Sequence, residues 1–528
     1  MQNRSLYFGD NLEILRDKFP GGEGYFDLVY LDPPFNSNRN YNVLFKEGLV
    51  DSEAQSHAFE DSWHWTHEAQ REFQYLVANA PEPVSNLIVA MEQAIGHNDI
   101  LAYLTMMTTR LLELHRVLKP AGTIYLHCDP SASHYLKMVM DSIFGKKNYL
   151  NEVVWRRSTP TGGKVKSKVF PRDHDIIFWY AKSDEHIYKN IYLPYSEEYT
   201  RKFFTHDDGD GRRYALQTAG DYSKKSIEKF KSQNRVHITK NGHVRIKQYL
   251  DESKGIIADD VWTDIKNVRQ ADTQKMTAKE WLGYPTQKPQ LLLERIIESS
   301  STENAWILDP FCGCGTTVSA AEKLGRNWVG IDISMLAVKL IEHRIVKQYP
   351  KLKDQIQING LPKDMAGARA LFKHDAWDFE YWVAVHLLDA KPPAGKSKDS
   401  MKGPDKGIDG VITLITDSSN GNIKYGKAIV QVKGGHVKRS DVVTLKGDMQ
   451  TQNAIAGVFV TLEKPTGPMK QEAAQAGVTR TRLGEFPVIQ ILTVEELMNG
   501  RRANLPGMVS PYKQASAFQS TIPQASLL

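Results

Sequence analysis

Short apolar runs alternate with longer amphipathic segments along the first two-thirds of the chain. FDLVYLD (26–32), GTIYLHCD (122–129), DIIFWYAK (175–182), AWILDP (305–310) and NWVGID (327–332) predict strands. Between them, segments such as LAYLTMMTTRLLELHRVL (101–118) carry apolar residues at helical spacing. From about Leu6 to Leu361 this alternation predicts an α/β fold. Residues 183–280 break the pattern, being irregular and rich in Lys, Asp and Gly, as a long functional insertion or a separate small domain would be.

A second break falls at KPPAGKSKDSMKGPDKG (391–407), between a predicted helix at 375–390 and predicted strands near 408–414 and 427–433. The Ser-, Gln-, Ala- and Pro-rich end (501–528) reads as a flexible tail. The 528 residues exceed one hydrophobic core, so several domains are expected: 1–360, containing the irregular stretch at about 151–280, and 365–500. A net charge of +5 is mildly basic and compatible with a nucleic-acid partner. WRRSTPTGGKVKSKVFPR concentrates six Lys/Arg between Arg156 and Arg172 without an acid, as a solvated loop or a phosphate-tracking surface would. Three cysteines cannot make a disulfide framework, which fits a reducing, cytoplasmic setting. The chain shows neither signal-peptide character nor an apolar run of membrane-spanning length.

Two stretches concentrate chemistry. LDPPFNSNRNYN (31–42) ends an apolar run with an acid, locks the backbone with two prolines and then presents an aromatic ring. ILDPFCGCGTT (307–317) follows a predicted strand and opens a helix. Gly313 and Gly315 let the backbone turn sharply and approach a ligand, and the free N–H groups near Thr316 and Thr317 suit an anionic group. Asp332 ends the next run, where a ribose diol would sit in a doubly wound sheet. A dinucleotide fingerprint would want glycine at 318; Val318 argues for a smaller ligand. Cys312 and Cys314 read as packing rather than metal ligands.

Together with GYPTQKP (283–289), the DPPF at Asp32–Phe35 and the F-x-G-x-G at Phe311–Gly315 resemble the S-adenosylmethionine-dependent amino-methyltransferases of DNA, over about residues 1–350. The catalytic stretch comes first and the cofactor loop last, which resembles that family's circularly permuted β-type arrangement. The resemblance implies a Rossmann-like class I methyltransferase fold with an inserted target-recognition region. By it, Asp10 of GDNLEIL accepts a hydrogen bond from the cofactor's adenine amine, and Asp332 holds the ribose. Thr286 and Lys288 lie near the methionine end, Thr316 stands at the helix start, and Asp309, Phe311, Gly313 and Gly315 complete the cofactor site. Asp32 and the Pro33 carbonyl would accept the two hydrogens of an exocyclic amine, with Pro33 and Pro34 keeping both acceptors rigid. Asp32 could also take the proton, and Phe35 would stack on a base flipped out of double-stranded DNA. An Asp at the first position inclines the target to adenine N6 over cytosine N4. FEDSWHW (59–65) and DDVWTD (259–264) line the DNA side or belong to the core, and His127 reads as a satisfied structural histidine.

Beyond the second break, GPDKGIDGVITL places Asp409 at the start of a strand, and KAIVQVKGG places Gln431 and Lys433 on one side of the next. An acid, a second oxygen ligand and a lysine suit Mg²⁺ held beside a phosphodiester. G-x-D-G followed by Q-x-K resembles the Mrr-like branch of the PD-(D/E)xK restriction endonucleases over roughly residues 370–495. That resemblance adds Glu380 to the metal set with Asp409 and Gln431, and gives Lys433 a catalytic role. Gln in place of the superfamily's commoner Glu weakens charge pairing with the metal. The expected protein is a site-specific adenine-N6 methyltransferase of a restriction-modification system, carrying a smaller α/β nuclease-like domain. The alternative is an adenine or N4-cytosine methyltransferase whose C-terminal part only binds DNA or a partner. A second copy of the chain or further restriction-system subunits remain open as partners.

Overall fold

The computed structural model describes the chain except residues 23, 35–38, 48–49, 62–63, 159–167, 221, 269–279, 283, 285, 394–406, 418–422 and 510–528, and gives backbone alone over 39–61. Phe35, Gly283, Pro285, Trp63 and most of the basic run and of the expected tail therefore lie outside the described residues. Two compact units emerge, one of residues 1–187 and 263–528, the other Tyr188–Trp262.

The larger unit holds two sheets. The first is built from β1 (Ser5–Phe8), β2 (Phe26–Leu31), β3 (Leu118–Cys128), β4 (Tyr149–Arg156), β5 (His174–Ala181), β6 (Trp306–Asp309), β7 (Asn327–Asp332) and β8 (Gln357–Asn359). Within this unit their order is β4-β5-β3-β2-β6-β7-β1-β8. The six strands from β3 to β8 in that order run parallel, and β5 and β4 are antiparallel additions. Runs such as FDLVYL are almost continuously apolar because helices cover both faces of a parallel sheet. One such helix, α1 (Asp99–Val117), is buried along most of its length. Register aligns Phe8 with Asp332 and Asp309 with Gly330, so the loops leaving β1, β2, β6 and β7 open on one edge. A hairpin of Arg39–Glu47 and Val50–Asp61 follows the loop after β2.

The second sheet comprises β9 (Gly410–Asp417), β10 (Lys424–Lys433), β11 (Ala456–Thr461) and β12 (Ile489–Thr493), in that order. β9 and β10 are antiparallel and the rest parallel. Ala428, Val430 and Val432 of β10 pack with Trp382, Val383 and Ala384, while Ile429 packs with Val442, Leu445 and Met469 on the other face. By alternation Gln431 and Lys433 share the Ile429 face. The predicted helix at 375–390 is α-helical over Ala376–Tyr381 and becomes a π-helix over Trp382–Leu387. Val385 of that π-turn packs in one cluster with Tyr284, Cys314, Leu336 and Leu340.

The unit Tyr188–Trp262, inside the stretch that reads as irregular, has its own antiparallel sheet: Val236–Ile238, Val244–Tyr249, Arg213–Thr218 and His206–Asp207 in spatial order. Few of its apolar residues are buried. Tyr214 and Tyr249 are buried under cations, with Lys247 over the Tyr214 ring at 5.0 Å and Arg212 over Tyr249 at 4.1 Å. No helix among the described residues is long and apolar enough to cross a membrane.

Candidate functional site

The four loop ends on the first sheet's carboxyl edge enclose a cavity of about 360 Å³ lined by Asp10, Asp32, Pro33, Pro34, Thr286, Lys288, Asp309, Phe311, Gly313, Thr316 and Asp332. Backbone conformation explains the glycines. Gly313 and Gly315 have φ of +51° and +75°, and a Cβ on Gly315 would lie 2.7 Å from Ile341 Cγ1. Gly330 is equally constrained, because a Cβ there would meet Cys312 Sγ at 2.7 Å. That thiol fills the gap between loop and strand.

Acids hold the rim in place. Asp332 Oδ2 accepts the Gly313 N–H at 2.7 Å, and its Oδ1 accepts the Ser334 N–H at 2.8 Å. Asp309 accepts the Phe311 N–H at 3.0 Å and the Thr317 hydroxyl. Burial outweighs these donors, so the carboxyls rise to about 6 at Asp332 and about 7 at Asp309. Asp10 caps the helix Asn11–Lys18 by accepting from Leu12 N–H at 2.7 Å, and its other oxygen accepts from Arg110 at 2.7 Å.

Asp32 is paired with Lys288, whose ammonium donates to Oδ2. Oδ1 is buried and has no hydrogen-bond partner among the described residues, a costly arrangement unless a donor arrives. Lys288 is anchored through its carbonyl, which accepts from the Thr316 hydroxyl at 3.3 Å; Arg344 donates to that hydroxyl at 3.2 Å. Sequence reasoning missed Arg110 and Asn11. Asn11 Nδ2 donates to the Pro310 carbonyl at 2.8 Å and its Oδ1 accepts from Arg110 at 2.7 Å, tying the first loop to the glycine loop. The signal was present: Arg110 is a charged residue at a core-facing position of an otherwise apolar helical stripe.

In the second sheet, Glu380 and Asp409 line one small cavity with Trp377 and Tyr381; Gln431 and Lys433 do not line it. Asp409 Oδ2 accepts the N–H of Val432, the residue between Gln431 and Lys433, at 2.6 Å. Gln431 is 3% exposed, and its Oε1 has no partner among the described residues. A Cβ on Gly407, at φ +65°, would meet its Nε2 at 2.8 Å. The two carboxylates suit a hard divalent cation by chemistry, but the Gln431 oxygen does not share their cavity, and no group of three His, Cys, Asp or Glu that could hold a metal ion occurs among the described residues. Trp65 is half-buried and stacks on His97 at 4.2 Å, and Trp262 is buried with its indole N–H on the Asp259 carbonyl at 2.7 Å.

The sheet and the cavity define a doubly wound α/β protein with a ligand site at the strand carboxyl ends. Residues 26–343, more than half the chain, match the model of the DNA methylase family, and the protein belongs to that family. Residues 373–497 match a restriction endonuclease model. The chain is 29% identical over 266 residues to the type II methyltransferase M.EcaI of Enterobacter cloacae, covering 46% of this chain and 57% of that one. It is 23% identical over 349 residues to the Mod subunit of the type III restriction-modification enzyme StyLTI of Salmonella typhimurium, covering 60% of this chain and 50% of that one. The chain thus spans about half the length of these curated relatives. Among solved structures it is similar to the cytosine-N4-specific PvuII DNA methyltransferase, at 14% identity and a TM-score of 0.35 over 68% of this chain and 96% of that one.

Proposed function

We propose that the protein is a site-specific DNA methyltransferase using S-adenosylmethionine, with adenine N6 as its target. The observation that carries this reading is the buried, unpartnered Oδ1 of Asp32 in the cavity shared with the glycine loop and Asp332. The loop N–H groups and the acids of the rim suit a ligand with an adenosine part and a charged tail, and Asp10, Asp332, Thr286 and Lys288 would hold it. When bound, the cofactor supplies a methyl group activated by its sulfonium. Asp32 and the Pro33 carbonyl accept the two hydrogens of the target amine, which turns its lone pair toward that methyl. Pro33 and Pro34 keep both acceptors rigid, so little reorganisation remains at the moment of reaction. The unit Tyr188–Trp262 and the basic stretch before it serve as the target-recognition region, and methylation by this chain marks sites for a restriction-modification system.

The second sheet, on this proposal, is a Mg²⁺-dependent nuclease site in which Glu380, Asp409 and Gln431 would hold the cation, which would supply charge stabilisation at a phosphodiester, and Lys433 would orient water. A binding-only C-terminal domain is the second reading, favoured by the absence of Gln431 and Lys433 from the cavity that Glu380 and Asp409 share. One experiment tests both parts: unmethylated and premethylated plasmid, with and without S-adenosylmethionine and Mg²⁺, scored for methylated bases and for cuts. Methylated adenine together with Mg²⁺-dependent cuts supports the two-site reading. Methylated cytosine overturns the adenine assignment, and methylation without cuts under any condition leaves the binding-only domain.

A further inference from the structure

A line of buried polar side chains starts at the cavity wall, and neither the cofactor site nor the cation site uses it. Tyr30, two residues before Asp32, lines the cavity. Its hydroxyl lies 2.9 Å from His127 Nδ1, and His127 Nε2 lies 3.1 Å from Asp175 Oδ2. Arg157 Nε stands 3.3 Å from Asp175 Oδ1 at the far end. Tyr30, His127 and Asp175 come from β2, β3 and β5, and are 2%, 0% and 1% exposed. Such deep burial of an imidazole and a carboxylate is costly and calls for a return.

The protonation pattern follows from the geometry. An ionised carboxylate only accepts, so His127 Nε2 carries a hydrogen. In the neutral ring Nδ1 then accepts, and the Tyr30 hydroxyl donates to it. Burial pushes the Asp175 carboxyl up, but the His127 hydrogen bond and the charges of Arg157 and Lys288 hold it below the usual range. Burial and the charges of Asp32, Asp309 and Asp175 raise the Tyr30 phenol, so it does not persist as a phenolate.

Resting on the methyl-transfer reading, we propose that Tyr30, His127 and Asp175 are the proton relay of the reaction, with Tyr30 facing the target amine. When the amine nitrogen gains a carbon it acquires a positive charge and must shed one hydrogen. The Pro33 carbonyl cannot keep a proton, so the hydrogen it held passes to Tyr30 Oη as the phenol's own proton passes to His127 Nδ1. The tyrosine ends neutral, and the new imidazolium is paired with the Asp175 carboxylate. The reverse shift returns the proton to the cavity after the product leaves. Asp32 stays an acceptor throughout. His127 is faced by Tyr30 from β2, by Asp175 from β5 and by the Trp155 ring edge at 5.6 Å from β4. Arg157 and Lys288 act on it through Asp175, and Asp32 and Asp309 lie on the Tyr30 side.

The test is single-turnover methyl transfer from labelled S-adenosylmethionine to unmethylated plasmid by the full chain in H2O and in D2O. It compares wild type with Tyr30→Phe, His127→Gln and Asp175→Asn, with S-adenosylhomocysteine binding and thermal melting measured alongside. The wild-type rate carries a solvent deuterium isotope effect, because two protons move in the relay. His127→Gln lowers the rate about 100-fold, the scale of a lost proton-transfer group, and removes the isotope effect while S-adenosylhomocysteine binding holds. Variants that keep the wild-type rate and isotope effect overturn the relay. Should His127→Gln not fold, Tyr30→Phe, which loses only a hydroxyl, decides by the same criteria. A wild type that binds S-adenosylhomocysteine but transfers no methyl group overturns the underlying reading with it.

Discussion

Both candidate sites put an aspartate at a sheet edge and fasten it to a backbone N–H, yet they are finished differently. Around the cavity of the first sheet Asp10, Asp309 and Asp332 each accept backbone N–H groups, and Asp32 is matched by Lys288. In the second sheet Asp409 is fastened to the Val432 N–H, but the buried Gln431 oxygen has no partner among the described residues. An organic ligand with several polar groups needs a rim shaped in advance, and fixed backbone donors supply that. A cation brings its own charge, so its oxygen donors gain by waiting for it.

If that contrast is right, the largest effect comes from separating the two chemistries. Asp409→Ala abolishes Mg²⁺-dependent cutting and leaves methyl transfer at the wild-type rate; gel and methyl-label assays on one preparation check both. Equal loss of both activities would break the comparison.

The next effect is in pH. The folded-state carboxyls of Asp309 and Asp332 are raised to about 7 and about 6, above the ordinary carboxylate value. A raised carboxyl keeps its proton in the fold where the unfolded chain has lost it. Their contribution to stability is therefore greatest near pH 4 and falls as pH rises toward 7, by on the order of 1 kcal/mol per unit of difference. Asp309→Asn should flatten that fall in melts recorded from pH 4 to 8, and an unchanged slope would count against the buried rim.

Gly315→Ala comes third. It places a Cβ at positive φ 2.7 Å from Ile341 Cγ1 and should cost about 1–3 kcal/mol in urea unfolding, with weakened S-adenosylhomocysteine binding. The smallest effect is Arg110→Met, which strips Asp10 of its cation and the buried Asn11 Oδ1 of its donor. Because Asp10 is one-third exposed, most of the loss, about 1–2 kcal/mol, comes from the unpaired Asn11 oxygen, read by the same unfolding curve.

Much of the first sheet was legible because its strands are apolar runs buried on both faces, bounded by acids that leave the core. The runs at 26–32, 175–182 and 327–332 appear as Phe26–Leu31, His174–Ala181 and Asn327–Asp332. The cavity was legible for the same reason: loop chemistry sits at fixed offsets from strand ends. The Asp32–Lys288 pair joins residues 256 positions apart, and the Tyr30–His127–Asp175 line crosses three strands, so local spacing carries neither. The sheet of Tyr188–Trp262 escaped because it rests on cation–ring contacts and ion pairs such as Arg212–Asp251 rather than on apolar periodicity. The π-turn at Trp382–Leu387 shares its apolar pattern with an ordinary helix.

The most direct test of the central claim is base-resolved methylation of unmethylated plasmid by Asp32→Ala beside wild type, with S-adenosylhomocysteine binding and Mg²⁺-dependent cutting measured on the same preparations. The account predicts methylated adenine from wild type and at least about 100-fold less from the variant, with binding and cutting intact. Methylated adenine from Asp32→Ala at the wild-type rate would contradict it.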